Sequence, residues 1–158
     1  MGWIYYYARR YDEARRYLER AVAMNPTADE TYRVLALTCA MQEEWPEAER
    51  AAGEATLLSA GGAYNRATLA YVLARSGRRA EAEKELAELH ALAARDYVSP
   101  VAFATVYLGL EDWEKAFDWA ERAYDDRRGW LAYLRVNPIV DPLRGRARFE
   151  ALVRRMKL

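Results

Sequence analysis

The sequence predicts an all-α fold, a solenoid of stacked helical hairpins, and three observations carry that expectation. Alanine stands at positions 14, 48, 82 and 116, one interval of 34 residues kept without slippage over most of a 158-residue chain, which marks a repeated supersecondary unit. Small and apolar companions keep the same register: Leu18, Ala52, Leu86 and Ala120 follow four residues after each alanine, and Ala21, Ala55, Leu89 and Ala123 follow seven after. These offsets place all three columns on one helical face. Upstream, Met1-Gly2, Leu35-Ala36, Leu69-Ala70 and Phe103-Ala104 are each followed three residues later by an apolar side chain: Tyr5, Cys39, Leu73 and Tyr107. Alanine at the repeating position fits two helices that cross at close range, where leucine would force their axes apart.

The punctuation between these columns sets the helices in order. Counting one interval back from the second unit leaves the first unit incomplete, with residues 2–7 as a stub of helix. Its Trp3, Ile4, Tyr5, Tyr6 and Tyr7 form an apolar end of the kind a neighbouring repeat covers. The chain therefore reads as a segment of a longer protein, and a homodimer through this end is one expectation. Thr27 and Glu30 have the spacing of a capping box, so the next helix is expected to start near Ala28 and run to about Met41. Pro46 suits the first turn of its partner helix, and the run Ser59-Ala60-Gly61-Gly62 ends that helix with residues that accept positive φ. Ser76-Gly77 divides the third pair. Ser99-Pro100 opens the fourth, whose second helix is expected from about Trp113.

After Arg128 the period stops. A short helix is expected to end by about Arg135, because Pro138 and Pro142 disfavour helix at the residues before them, and an irregular link follows. A last helix is then predicted from Phe149, Leu152, Val153 and Met156, one apolar stripe backed by arginines. Such a helix closes a solenoid, one face on the last repeat and the other on water.

These columns resemble the tetratricopeptide repeat family, whose 34-residue pattern runs W-x2-L-G-x2-Y, A-x3-F and P. The second unit reads Tyr32-x2-Leu35-Ala36-x2-Cys39 and then Ala48-x3-Ala52; the fourth reads Pro100-x2-Phe103-Ala104-x2-Tyr107 and then Ala116-x3-Ala120. The family's closing proline survives as Pro26 alone, and Arg66 stands in the column of its tryptophan. The resemblance implies a right-handed superhelical solenoid of four units, 1–26, 27–60, 61–94 and 95–128, followed by residues 129–158 as a short helix, a proline-containing link and a capping helix.

It also implies a function, protein–protein interaction through a concave groove lined by the first helix of each pair. Carried onto this chain, the peptide-binding groove would hold Trp3, Tyr6 and Tyr7, then Arg33, Leu37 and Met41. Tyr64, Tyr71 and Arg75 would follow from the third unit, and Val101 and Thr105 from the fourth. Aromatic anchors with two cations suit a peptide or helix carrying apolar side chains and an acidic group. Family members that clamp a C-terminal carboxylate use lysine and asparagine in groove columns where this chain has Trp3, Val34, Tyr64 and Thr68, so that specificity is not expected. A narrower resemblance lies in the tail. Trp130-Leu131-x-Tyr133-Leu134, Pro138, Asp141-Pro142-Leu143-Arg144 and Arg148-Phe149-x-x-Leu152 look like the ending of bacterial multidomain signalling proteins, which implies a sensory or scaffolding module fused to an effector.

Composition excludes other classes. With 24 basic and 24 acidic side chains the formal charge is zero, so nothing steers the chain globally toward nucleic acid or an anionic membrane. The run 144–158 is locally basic, six cations against Glu150, and reads as the solvated face of a terminal helix. RNA binding by helical hairpins is the alternative from another class, but pentatricopeptide units are 35 residues long and basic, and the period here is 34. No stretch reaches the roughly 18 apolar residues of a membrane span. The single cysteine, Cys39, and the single histidine, His90, fall in different columns, so no catalytic residues, no metal site and no cofactor are expected. One cysteine also fits a cytoplasmic protein without disulfides.

Overall fold

A computed structural model describes residues 1–126 and 133–156. The described residues form nine α-helices and a 310 helix, with no strand among them. Four antiparallel pairs come first: α1 (Gly2–Tyr7) with α2 (Tyr11–Met24), α3 (Asp29–Met41) with α4 (Trp45–Leu58), α5 (Ala63–Arg75) with α6 (Arg79–Ala93), and α7 (Pro100–Gly109) with α8 (Trp113–Asp125). The 310 helix Pro138–Leu143 and α9 (Ala147–Arg155) follow. Helices α1, α3, α5 and α7 touch in succession as one layer, and α2, α4, α6 and α8 back it. The fold is the helical-repeat solenoid that the 34-residue interval predicts.

The repeating alanines are its contact points. Ala14, Ala48, Ala82 and Ala116 are 0–1% exposed, since each second helix crosses its partner at this side chain. Each turn inside a pair repeats as well. Arg9, Glu43, Gly77 and Glu111 stand one interval apart and all have positive φ, between 58° and 90°. The next amide reaches back five residues to close the turn: Arg10 N–H donates to Tyr5 O, Glu44 to Cys39, Arg78 to Leu73 and Asp112 to Tyr107, at 2.8–3.0 Å. Four copies of one helix-ending turn therefore need a left-handed residue, and three of the four use one with a side chain.

Neighbouring second helices are joined by ion pairs. Arg15 of α2 pairs with Glu44 at the start of α4, and one interval on, in the same two columns, Glu49 of α4 pairs with Arg78 at the start of α6. The polarity is reversed between the two junctions. At the third junction the columns hold Glu83 and Asp112, which turn instead to Arg79 and Lys115.

Two local expectations are corrected. The N-cap of α3 is Ala28, and no side chain caps it; the Thr27 hydroxyl and amide both donate to Asn25 Oδ1, so the asparagine takes the threonine that would have formed the capping box. The link after the solenoid is not irregular throughout, because Pro138–Leu143 coils into a 310 helix whose first turn is capped by Asn137 Oδ1 accepting from Ile139 N–H. The short helix expected around Trp130 lies outside the described residues.

Helix α9 lies on α8. Phe149, Leu152 and Val153 are buried, and Arg148 bridges Glu114, Asp118 and Glu121 of α8. Three other arginines of this basic run also find partners. Arg146 lies over the Trp113 ring, Arg155 over Tyr124 and Arg144 over Phe149, with Arg144 also paired to Asp141.

Candidate peptide-binding groove

The inner layer supplies the candidate site. Each of its four helices contributes side chains to one place. Trp3 of α1, Arg33 and Leu37 of α3, Tyr64 and Thr68 of α5, and Val101 and Thr105 of α7 line one small cavity. Its remaining walls are Asn137 and Ile139. The groove between the first and last units is thus occupied by the chain's own residues 133–143, leaving about 20 Å³, room for a single water.

Six of the eleven residues predicted for the groove meet at that cavity: Trp3, Arg33, Leu37, Tyr64, Val101 and Thr105. Three more hold the inserted segment or lie beneath it. The Tyr6 hydroxyl donates to Asn137 Oδ1 at 3.3 Å in a buried contact, the Tyr7 ring stacks on Tyr133 with centroids 5.2 Å apart, and Tyr71 is buried. Met41 and Arg75 do not join them. Met41 packs against the core, and Arg75 pairs with Glu111 of the next unit.

Burial sets the electrostatics. It pushes the Tyr7 phenol up to about 12, against the pull of Arg33, and the Tyr71 phenol also to about 12, against Arg75. The fully enclosed Tyr6 phenol rises well above its ordinary value, again chiefly by burial, with Tyr71 and Tyr11 adding to the shift. The Arg33 guanidinium, stacked over Trp3 at 5.1 Å, is held below its ordinary value by desolvation, and its ion pair to Glu30 is long at 3.4 Å. A half-sheltered cation beside aromatic rings is a ready partner for a carboxylate.

The sequence did not point to Asn137 and Ile139. One signal for them was present in α7, which is apolar all round and whose ten residues are all buried. Such a helix must be covered on every face, and its groove side is covered by the 310 helix. No group of three or more His, Cys, Asp or Glu side chains among the described residues is placed to hold a metal ion. Cys39 is buried and free, its thiol pushed up to about 11 by burial. The His90 ring packs on Phe103 at 4.8 Å.

This arrangement defines a helical-repeat protein with a filled inner groove. The sequence model of the tetratricopeptide repeat matches residues 1–28, the stretch that contains α1 and α2. No curated protein matches the chain, and neither does any solved structure. No described helix is long and apolar enough to cross a membrane.

Proposed function

We propose that the chain is a non-enzymatic protein-interaction module that binds a peptide or helix of another protein along its concave inner layer. The observation that carries this reading is the seating of residues 133–143, a peptide-like segment whose Asn137 and Ile139 share a cavity with Trp3, Arg33, Tyr64 and Thr105 and whose Tyr133 stacks on Tyr7. A surface that accommodates such a segment within the chain has the shape and the anchors to accept one from outside. The tetratricopeptide match at residues 1–28 supports the same class of function, and the tail's resemblance supports a cytoplasmic setting in bacterial signalling or regulation. The test is capture from bacterial lysate on the immobilised chain, compared with an Arg33→Glu/Tyr64→Glu variant of unchanged helicity. A specific band lost with the variant supports the groove; a band retained equally by both overturns it.

A second reading is favoured by one feature. A concavity of about 610 Å³ opens between α2 and α3 beside α1, lined by Met1, Trp3, Tyr17, Leu18, Met24 and Val34 among others. Met1 and Met24 in its lining are 71% and 87% exposed, and Ile4, beside the lining residue Trp3 in α1, is 63% exposed. Apolar side chains so exposed and so close together suit self-association. Sedimentation equilibrium tests it, with a dimer abolished by Ile4→Glu/Met24→Glu as the expected result and a monomer at all concentrations as the contrary one.

A further inference from the structure

Residues 133–143 leave the last hairpin, cross the inner layer to α1 and return through α9 to the helix they came from. The return root of this excursion lies on α8. On the return side, Arg148 is held by three carboxylates of α8 at 2.8–3.1 Å, and the Tyr124 hydroxyl donates to Arg155 O at 3.0 Å. The far tip is fastened differently. It meets α1 and the turn after it through the Arg9–Asp141 pair at 2.8 Å, whose side chains are both more than 40% exposed, the 3.3 Å bond from Tyr6 to Asn137 and the Tyr7–Tyr133 stack. Exposed ion pairs contribute little, at the tip and at the Arg148 root alike, so the tip rests on α1 chiefly through one long hydrogen bond and one ring stack. Between them, Ile139, Val140 and Leu143 are buried at 1–3% exposure, and lifting the segment would bare them. Only an occupant of similar chemistry could take their place without leaving apolar surface in water.

We infer that residues 133–143 form a releasable strap, an internal ligand of the groove that is displaced by a partner segment of the same chemistry: an aromatic residue, three residues, Asn-Pro, two aliphatic residues and an aspartate. This rests on the groove reading above and adds the ligand's pattern and the gate. The aromatic ring stacks on Tyr7, the asparagine accepts from Tyr6, the first aliphatic residue fills the space beside Leu37 and Val101 while the second is buried, and the aspartate meets Arg9. A tethered strap acts at an effective concentration of the order of millimolar, so an external segment binds weakly until the strap is loosened, and its apparent affinity follows the open fraction.

The probe is a labelled synthetic peptide with the sequence of residues 133–144, followed by fluorescence anisotropy against the whole chain. The Asn137→Ala/Asp141→Ala chain is expected to bind it about ten-fold or more tightly than the unchanged chain, and a peptide carrying alanine in place of its own aspartate is expected to lose that gain. Asp141→Asn alone, at an exposed site, serves if the double variant loses helicity, with a smaller gain expected in the same direction. Equal peptide affinity for the unchanged chain and a folded loosened variant would show the strap to be permanent core and overturn the inference. If that folded variant still captures the lysate band that Arg33→Glu/Tyr64→Glu loses, the strap inference falls while the groove reading stands; loss of both removes both.

Discussion

Gly109 at the end of α7 lies directly against the backbone of Tyr71 in α5: a Cβ at Gly109 would come within 2.7 Å of Tyr71 Cα and 2.9 Å of its carbonyl oxygen. Backbone cannot swing aside as a side chain can, so the two inner helices would have to part. Gly109→Ala is expected to destabilise the chain by about 2 kcal/mol or more, despite the helix propensity alanine adds. Urea unfolding checks this, and an unchanged or higher midpoint would contradict so close an approach of α5 and α7.

Glu43 offers the opposite change. It holds φ 58° where the equivalent residue of the third unit is Gly77 at φ 90°. Glu43→Gly removes the steric penalty of a side chain in the left-handed region and is expected to stabilise by about 1 kcal/mol. The thermal midpoint should rise by a few degrees. A fall would mean that the glutamate side chain contributes more than its backbone strain removes.

The repeating alanines can be tested against an exposed control on the same helix. Ala82 is fully buried at the crossing of α6 with α5, whereas Ala91 of α6 is exposed. Ala82→Leu is expected to lower stability by about 1–3 kcal/mol, and Ala91→Leu to change it by no more than about 0.5 kcal/mol. Coinciding urea midpoints would remove the close-crossing role of this column.

Alkaline pH should open the groove region. Tyr71 and Tyr7 titrate near 12 in the folded chain against an ordinary 10.0, and Tyr6 is shifted the same way. Because their folded values are raised, the stability they contribute is fully present below pH 10 and is lost as pH rises through about 12. Tyr71 alone accounts for roughly 2–3 kcal/mol across that window. Tyrosinate absorbance followed with circular dichroism should show ionisation of these rings coupled to loss of helix, and reversible titration near 10 without unfolding would contradict their burial.

The fold class was legible because close helix crossings demand small side chains, and Ala14, Ala48, Ala82 and Ala116 advertise those crossings at a constant interval. The turns were less legible. At the four turns inside the pairs, Gly77 is the single positive-φ residue whose type announces the conformation; Arg9, Glu43 and Glu111 adopt it because the surrounding hydrogen bonds require it. The candidate groove could be read from one helix at a time, since the column offsets place Trp3, Arg33 and Val101 on the inner side. The strap could not. Its bond from Tyr6 to Asn137 joins residues 131 apart, outside the repeating part of the chain, and no local pattern encodes such a contact. The capping box failed for a local reason, the competing acceptor on Asn25.

The opposed polarity of Arg15–Glu44 and Glu49–Arg78 bears on a hazard of chains assembled from near-copies, in which a hairpin docks one place out of order during synthesis or refolding. A shift of one unit would bring Arg15 to Arg78, or Glu49 to Asp112, and turn attraction into repulsion. Each pair on its own contributes only about 0.2–1 kcal/mol, but the gap between correct and displaced neighbours is the sum of what is gained in one and lost in the other. Two modest surface contacts thereby act as address labels, telling each hairpin which neighbour is its own.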